Sequence, residues 1–172
     1  IHFTLFCASS VKDHGEFIYK NYISNLPFHN DEKFIPALKK IINKYKIDAI
    51  YPAMDLVALT LKQYEKELDC KIIGSSLDAT KVCASKNETY TLFQNKIPLP
   101  IIYKSLEEAI FPIFIKPDIG YGSRNTFFAK TLLDAQAFLE QKKDVGEFVL
   151  CEYLSQEEYT IDCFSNRHGE FI

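Results

Sequence analysis

Short apolar segments alternate with longer amphipathic segments up to residue 76, and this alternation constrains the fold more than any other feature of the chain. The apolar segments have the length of strands: His2–Phe6, Ile47–Tyr51 and Lys71–Ile73. The segments between them have the length of helices: Glu16–Ile23, Phe34–Tyr45 and Asp55–Leu68. Strands that alternate with helices favour a parallel sheet covered by helices. Residues 1–76 are therefore predicted to form a Rossmann-like α/β domain.

The clearest helix is defined by a single apolar stripe. Its residues recur at i, i+4, i+7, i+8 and i+11, the spacing of one buried helix face: Phe34, Leu38, Ile41, Ile42 and Tyr45. Asp31 is the predicted N-cap of this helix, and Pro36 falls in its first turns. No Gly-x-Gly-x-x-Gly loop follows any of these strands, so nothing here supports a nicotinamide-dependent oxidoreductase.

After residue 76 the pattern predicts an α+β arrangement with antiparallel strand pairs. Helices are predicted at Asp78–Ala84, Asn87–Gln94 and Thr131–Lys142, the last with Leu132, Leu133, Ala137 and Phe138 facing inward. Ser105 and Glu108 have the spacing of a capping box that opens a helical turn. The predicted strands are Ile101–Tyr103, Phe111–Ile115, Asn125–Ala129, Phe148–Cys151 and Glu157–Phe164, followed by a turn at Ser165–Gly169.

Composition excludes several classes of protein. The chain of 172 residues has a net charge of −3, whereas a nucleic-acid-binding surface is usually basic. No apolar run approaches the ~20 residues of a membrane-spanning helix. The five cysteines are scattered without a Cys-x-x-Cys pair, so they are interpreted as buried free thiols in a reducing cytoplasm.

The segment Phe111–Arg124 carries the strongest functional signal. A strand that ends in Lys116 would hold the lysine amine where it can meet a phosphate as a point charge. Gly120 and Gly122 allow a loop backbone to approach a ligand closely, and Ser123 adds a hydroxyl donor. The loop lacks the Gly-x-x-x-x-Gly-Lys pattern of a Walker loop. An ordinary turn is the alternative interpretation of these glycines.

Two further segments carry weaker signals. Lys86 opens a helix, where the helix dipole prefers an anion, so it is either a surface lysine or a contact to an anionic ligand. Glu152 follows a predicted strand, and Glu158, Thr160 and Asp162 would share one face of the next. That face is either solvated or lines a cleft where the carboxylates meet ribose hydroxyls or cations.

The order of these motifs resembles the ATP-grasp superfamily, in its carbamoyl-phosphate synthase large-subunit form. The motifs are Lys86 before a helix, Pro-x-Phe-Ile-Lys-Pro-x-x-Gly-x-Gly-Ser, Leu-Cys-Glu-Tyr-Leu and Glu-Tyr-Thr-Ile-Asp, each degenerate alone but specific in this order. The segment Ile47–Pro52 with Asp55 resembles the Rossmann-like domain that precedes the ATP-grasp domain in that family. The resemblance is firm from Ile47 onward and looser before it.

The resemblance implies a division into three parts and a role for each matching residue. Residues 1–76 would be the Rossmann-like pre-ATP-grasp domain, 77–146 the small ATP-grasp subdomain with linker helices, and 147–172 the start of a second subdomain that is cut short. Two lysines would contact the ATP phosphates, a flap would cover them, a hinge would meet adenine, and an acidic residue would lie near the ribose. The residues in these roles are, in that order, Lys86 and Lys116; Gly120, Gly122 and Ser123; Glu152, Tyr153 and Leu154; and Glu158. Asp162 would help organise the cleft, and the role of Arg124 is left open.

The implied activity is an ATP-dependent ligase that joins a carboxylate to an amine or similar nucleophile through an acyl-phosphate. ATP, Mg²⁺ and a small carboxylate are the implied ligands, without nucleic acid or membrane, and a homodimer is compatible with the family. The metal ligands are expected beyond residue 172, so no metal ligand or catalytic residue is assigned and the segment alone is expected to be inactive. The alternative is a nucleotide- or metabolite-binding α/β module without ligase activity.

Overall fold

The computed structural model describes residues 2–161, 163, 166 and 168–170. By contacts between Cα atoms the chain divides into two compact units, Ile1–Ile97 and Pro98–Ile172. Among the described residues, no helix combines the length and the apolar character needed to cross a membrane.

The first unit is built from short strands and helices. In chain order they are β1 (Cys7–Ala8), α1 (Gly15–Ile18), β2 (Tyr22–Ile23), α2 (Phe34–Tyr45), β3 (Ala49–Ile50), α3 (Asp55–Gln63), α4 (Glu65–Leu68), β4 (Lys71–Ile72), α5 (Leu77–Ala84) and α6 (Lys86–Phe93). Strand β1 pairs with β2 and β3 pairs with β4, both in parallel. The predicted parallel pairing is confirmed, but the described strands form two separate two-stranded sheets.

The core of the first unit is organised by the predicted stripe of α2. Phe34, Leu38 and Ile42 are buried, whereas Ile41 is half-buried and Tyr45 is exposed at the end of the helix. The buried cluster comprises Phe34, Ile35, Leu38, Ile42, Leu61, Leu68, Cys70 and Ile72. A helix thus packs on the β4 strand and on α3 and α4, as amphipathic spacing requires.

Several predicted boundaries in the first unit are wrong. Residues 2–6 form no strand, because parallel pairing begins at Cys7. The predicted helix Glu16–Ile23 stops at Ile18, since Tyr22 and Ile23 hydrogen-bond in the ladder with β1. The helix predicted over 55–68 is interrupted at Tyr64, which separates α3 from α4.

Asp31 is not the N-cap of α2. Lys33 occupies that position, and the Asp31 carboxylate accepts a hydrogen bond from the Lys33 backbone N–H at 2.8 Å. The Asp31 carbonyl also accepts from Phe34 N at 2.9 Å. Asp31 therefore closes the turn before the helix, a task for which short acidic side chains are as well suited as for capping.

The second unit contains a four-stranded antiparallel sheet and one helix. Its elements are β5 (Ile102–Tyr103), β6 (Ile113–Pro117), β7 (Phe127–Ala129), α7 (Leu132–Gln141) and β8 (Phe148–Glu152), with strand order β5-β8-β6-β7. The predicted α+β character and antiparallel pairing are confirmed. The buried cluster consists of Ile113, Ile115, Ala129, Ala135 and Leu150, against which Phe127, Phe138 and Phe148 pack.

The predicted inward face of α7 is right for Phe138, which packs against the buried cluster, and wrong for its other three members. Leu133 is 75% exposed and Ala137 is also exposed, whereas Ala135 is fully buried. The Phe138 ring stacks on the Phe127 ring with 4.7 Å between ring centres. This contact defines the rotation of the helix about its own axis. Leu132 and Leu133 are both exposed, at 39% and 75%, so neither supplies a buried side chain to this face.

Two elements predicted in the second unit are absent from its described residues. Ser105–Glu108 is a bend without a helix, and the Ser105 hydroxyl bonds to the Glu107 carboxylate, which lowers the pKa of that carboxyl. Residues 157–161 form no strand, because no neighbouring strand pairs with them, and Asp162 and Phe164 lie outside the described residues. The predicted turn after them is supported by a hydrogen bond from Asn166 N to Glu170 O at 2.9 Å.

The two units differ from the predicted domain boundaries at 76 and 146. Helices α5 and α6 belong with the first unit. Strand β8 pairs with both β5 and β6. The predicted boundary at residue 146 would therefore separate β8 from the two strands with which it forms a sheet.

Candidate functional site

Lys116 lies on the sheet face that α7 does not cover. Along β6, buried residues alternate with half-buried ones, so Phe114 and Lys116 point to one side while Ile113 and Ile115 point to the core under α7. Residues directly opposite each other in an antiparallel pair point to the same side. The register pairs Lys116 with Val149, and Phe114 with Cys151 and Phe128. We call these five residues the lysine face.

The lysine face is apolar around a single charged group. Val149 and Cys151 are buried, and Phe114, Phe128 and Lys116 are half-buried. Burial raises the pKa of the Cys151 thiol, an effect that the charge of Lys116 partly offsets. The thiol donates to the Phe114 carbonyl oxygen at 3.3 Å. The face therefore combines a cation with an apolar wall, which suits a ligand that is apolar at one end and anionic at the other.

The glycine loop follows Pro117, is anchored at its start by Asp118 and is closed near its end by a local hydrogen bond. The Asp118 N–H donates to the Glu147 carbonyl at 2.8 Å, and the Thr126 hydroxyl donates to the Ser123 carbonyl at 3.0 Å. Gly122 has φ +61°, and a Cβ added there would meet nothing within 4 Å. The backbone at Gly122 is therefore uncrowded and leaves room for a ligand, whereas a Cβ at Gly120 would lie 3.4 Å from the Pro117 side chain.

Ser123 and Arg124 complete this loop. Ser123 has φ +53°, an uncommon conformation for a residue with a side chain. The Arg124 guanidinium lies 5.1 Å from the centre of the Tyr121 ring, and its Nη1 donates to the Tyr121 hydroxyl at 3.4 Å. Arg124 therefore packs within the loop, which gives the residue a local contact that its sequence position did not predict.

The predicted hinge begins where β8 ends. Glu152 is the last residue of β8, and its carboxylate accepts a hydrogen bond from Ile101 N at 3.0 Å. The Tyr153 ring contacts Phe128 with 4.3 Å between ring centres, so it extends the lysine face. Leu154 is 64% exposed. The second unit thus brings Lys116, the glycine loop and the hinge onto one sheet.

The remaining predicted residues belong to other parts of the chain. Lys86 is the first residue of α6 in the first unit, where it is half-buried beside the N-cap Ser85. Glu158 is exposed in a segment without regular structure, so the shared strand face predicted for Glu158 and Thr160 is not formed. Asp162 lies outside the described residues.

Sequence reasoning missed Phe128, Val149 and Cys151 as members of this face. The sequence predicts Cys151 as a buried thiol within the Leu-Cys-Glu-Tyr-Leu motif and Phe128 as part of a strand, but it places neither beside Lys116. The side-chain alternation of the predicted strands could have placed Phe114 and Lys116 together. The partners across the sheet depend on register, which the sequence pattern did not define.

The described residues contain no group of three or more His, Cys, Asp or Glu side chains placed to hold a metal ion.

No protein-family model and no curated protein matches the sequence. Solved structures are similar in fold. One is the biotin carboxylase domain dimer of Hydrogenobacter thermophilus 2-oxoglutarate carboxylase with MgADP, ADP and bicarbonate, at TM-score 0.64 and 14% identity, over 81% of this chain and 36% of that chain. Another is a biotin carboxylase–beta-gamma-ATP complex from Campylobacter jejuni, at TM-score 0.63 and 16% identity, over 83% of this chain and 37% of that one.

The D-alanine-D-alanine ligase of Coxiella burnetii is also similar, at TM-score 0.52 and 16% identity, over 62% of this chain and 35% of that chain. These neighbours are ATP-grasp family members, and at 14–16% identity the likeness of this chain to them is one of fold. The chain spans little more than a third of the length of each of these three relatives. The carbamoyl-phosphate synthase subtype is not confirmed by them.

Proposed function

We propose that this chain forms the nucleotide-binding part of an ATP-grasp ligase. The observation that carries the proposal is the position of Lys116 near the end of β6, on the otherwise apolar lysine face and shortly before a glycine loop that is uncrowded at Gly122. A purine nucleotide has the matching polarity, with an apolar base and an anionic phosphate chain. The fold shared with nucleotide-bound carboxylases supports the same conclusion.

Each residue would contribute a defined interaction. The Lys116 ammonium would neutralise phosphate charge, and the amides around Gly120, Gly122 and Ser123 would donate to phosphate oxygens. Tyr153 and Phe128 would pack against the base, whose edge the backbone at residues 153 and 154 would read. Lys86 would supply a second cation, and Glu158 would lie near the ribose.

The reaction proposed is the joining of a small carboxylate to an amine or similar nucleophile through an acyl-phosphate. Mg²⁺ bound with the nucleotide would bridge its phosphates and offset their charge. No described residue set fits as its ligands, so we assign the metal no protein partner and no step depends on one. The bicarbonate in the Hydrogenobacter structure supports a small carboxylate-like substrate.

The finer features of the proposal rest on the sequence motifs. They are a carbamoyl-phosphate synthase-like subtype, a Rossmann-like role for the first unit, and a cytoplasmic location. A homodimer is proposed because the Hydrogenobacter relative is a domain dimer.

Replacing Lys116 tests the proposal in the full-length protein. Lys116→Met should weaken binding of ATP with Mg²⁺ by about 10- to 100-fold, because a charged hydrogen bond contributes about 1.5–3 kcal/mol. Isothermal titration calorimetry measures the change. Lys130→Met removes an exposed lysine just after β7 and should leave the affinity unchanged. Equal affinity of the Lys116 variant and the wild type would refute the role of Lys116.

Phosphate release separates the ligase from a binding module without ligase activity. A ligase should release phosphate from ATP only when a suitable carboxylate and nucleophile are both present. Screening pairs of small carboxylates and amines with the full-length protein tests this. Tight ATP binding without phosphate release from any pair would favour the binding module.

A further inference from the structure

We propose that Glu152 is a positioning residue whose carboxylate fastens the hinge to strand β5 and does not contact the nucleotide. This inference rests on the proposed nucleotide site. It assigns to the Glu152 side chain a task different from that of the hinge backbone that follows it.

The first observation is a pair of hydrogen bonds between Glu152 and Ile101. The Glu152 backbone N–H donates to the Ile101 carbonyl at 2.9 Å, and the Ile101 N–H donates to Glu152 Oε1 at 3.0 Å. The second bond uses a side chain where a regular ladder would use a backbone carbonyl. The carboxylate therefore continues the pairing of β5 with β8 by one residue beyond Ile102 and Cys151.

The second observation is the direction in which the side chain leaves the sheet. Glu152 is paired with Ile113, which is fully buried in the cluster under α7. Lys116 and Cys151 point to the opposite side, on the lysine face. Because alternate residues of a strand face opposite sides, the Glu152 carboxylate starts from the face that the nucleotide would not occupy.

The hydrogen bond from the Ile101 N–H to the Glu152 carboxylate, which we call the brace, matters because β5 is a weak edge strand. It contributes only Ile102 and Tyr103 to the ladder, and it lies at the end of the strand order. The chain after Glu152 has no regular structure through residue 161. The position of the hinge therefore depends in part on how Glu152 is held. The hydrogen bond that the Glu152 carboxylate accepts from the Ile101 N–H is charge-assisted, and such a bond is stronger than one between two neutral groups.

Two substitutions in the full-length protein separate positioning from direct contact. Glu152→Gln keeps an oxygen that can accept from Ile101 N, whereas Glu152→Ala removes it. Hydrogen exchange of the Ile101 amide reports the brace, and titration with MgADP reports the nucleotide site. Glu147→Ala, a nearby exposed carboxylate, is the control for lost charge.

We expect Glu152→Gln to bind MgADP within about twofold of the wild type and to keep the Ile101 amide protected. Glu152→Ala should expose that amide and weaken MgADP binding by about tenfold, a change of about 1.4 kcal/mol. Equal loss of affinity in both variants would overturn the proposal, because it would show that the negative charge of Glu152 itself contacts the ligand. An unchanged Ile101 exchange rate in Glu152→Ala would overturn it as well.

The outcomes also distinguish this inference from the proposed function. If the wild type does not bind MgADP, the nucleotide site is refuted and the role of Glu152 in positioning it falls with that site. If the wild type binds and Glu152→Ala binds equally well with an exposed Ile101 amide, the nucleotide site stands and the positioning role is refuted. Should Glu152→Ala fail to fold, the Glu152→Gln variant decides alone, since a loss of affinity there contradicts the proposal.

Discussion

Cys151 and Cys83 have the same side chain in opposite surroundings. Cys151 is buried on the lysine face, where burial raises the pKa of its thiol and its Sγ donates to a backbone carbonyl. Cys83 is exposed at the end of α5. The sequence interpretation of all five cysteines as buried thiols is therefore right for Cys70 and Cys151 and wrong for Cys83 and Cys163, while Cys7 is intermediate.

Thiol labelling should separate these two cysteines. We expect a maleimide to modify Cys83 at least tenfold faster than Cys151 at pH 7.5, because the thiolate reacts and both burial and a raised pKa disfavour it at Cys151. The difference should persist as the pH rises toward 9, since access still limits Cys151. Peptide mass spectrometry measures the two rates. Equal rates in the folded protein, with Cys83→Ser as the control for peptide assignment, would contradict the buried position.

At the same scale, the sequence motif predicted Lys116 correctly as the last charged residue of a strand that meets a glycine loop. It could not predict where the Glu152 carboxylate goes. The letters Leu-Cys-Glu-Tyr-Leu do not specify which residue across the sheet offers an N–H, and Ile101 is 51 positions away in the chain.

At the scale of the element, α7 illustrates how a helix can be predicted while its buried face is predicted only in part. Its start is defined by a capping box in which Thr131 and Asp134 bond to each other's backbone N–H. Its rotation depends on Phe138, whose ring stacks on Phe127 and meets Phe148 edge-on at 5.7 Å between centres. Those aromatic partners come from two different strands, so the pattern within the helix could not reveal them.

Truncating one residue on the packed side of α7 and one on its exposed side tests which face of the helix is buried. Phe138→Ala should lower the free energy of unfolding of the second unit by about 3 kcal/mol, because it removes a packed ring from the core. Leu133→Ala should change it by less than about 0.5 kcal/mol, since that side chain is largely exposed. Urea denaturation measures both. A larger loss for Leu133→Ala would return Leu133 to the inward face, where the sequence pattern places it together with Phe138.

The short strands show the complementary limit. Residues 2–6 and 157–161 have strand-like composition, yet neither is in a ladder in the described structure. The sequence predicts Tyr22 and Ile23 within a helix, whereas in the structure they form a strand that pairs with Cys7 and Ala8. A strand exists only with a hydrogen-bonded neighbour, and a local pattern contains no information on whether that neighbour is present.

At the scale of the whole molecule, the chain consists of two compact units that meet in sequence at residues 97 and 98. Every residue from 91 to 98, around this point, is exposed, and Asn95 has φ +64°. Exposed connections between compact units are common sites of proteolysis, because their backbone can unfold locally into a protease cleft.

Limited trypsin digestion should therefore cut first after Lys96. The products expected are two stable pieces that correspond to the two units, identified by mass spectrometry. Lys96→Gln should remove this cut and slow the loss of the intact chain. Lys39, which lies within α2 and pairs with Glu67 at 2.8 Å, should resist cleavage longer. Earliest cleavage within α2 would contradict the division into these units.

The sequence by itself determined the class of fold, the order of most helices and strands, and the placement of Lys116 and its glycine loop at the end of one strand. These features are local, because they depend on apolar spacing, on glycine and on residues adjacent in the chain. Only the tertiary structure decided which face of α7 is buried, which residues join Lys116 on its side of the sheet, and that Glu152 reaches Ile101. Those outcomes depend on strand register and on packing between residues far apart in sequence, which local patterns do not encode.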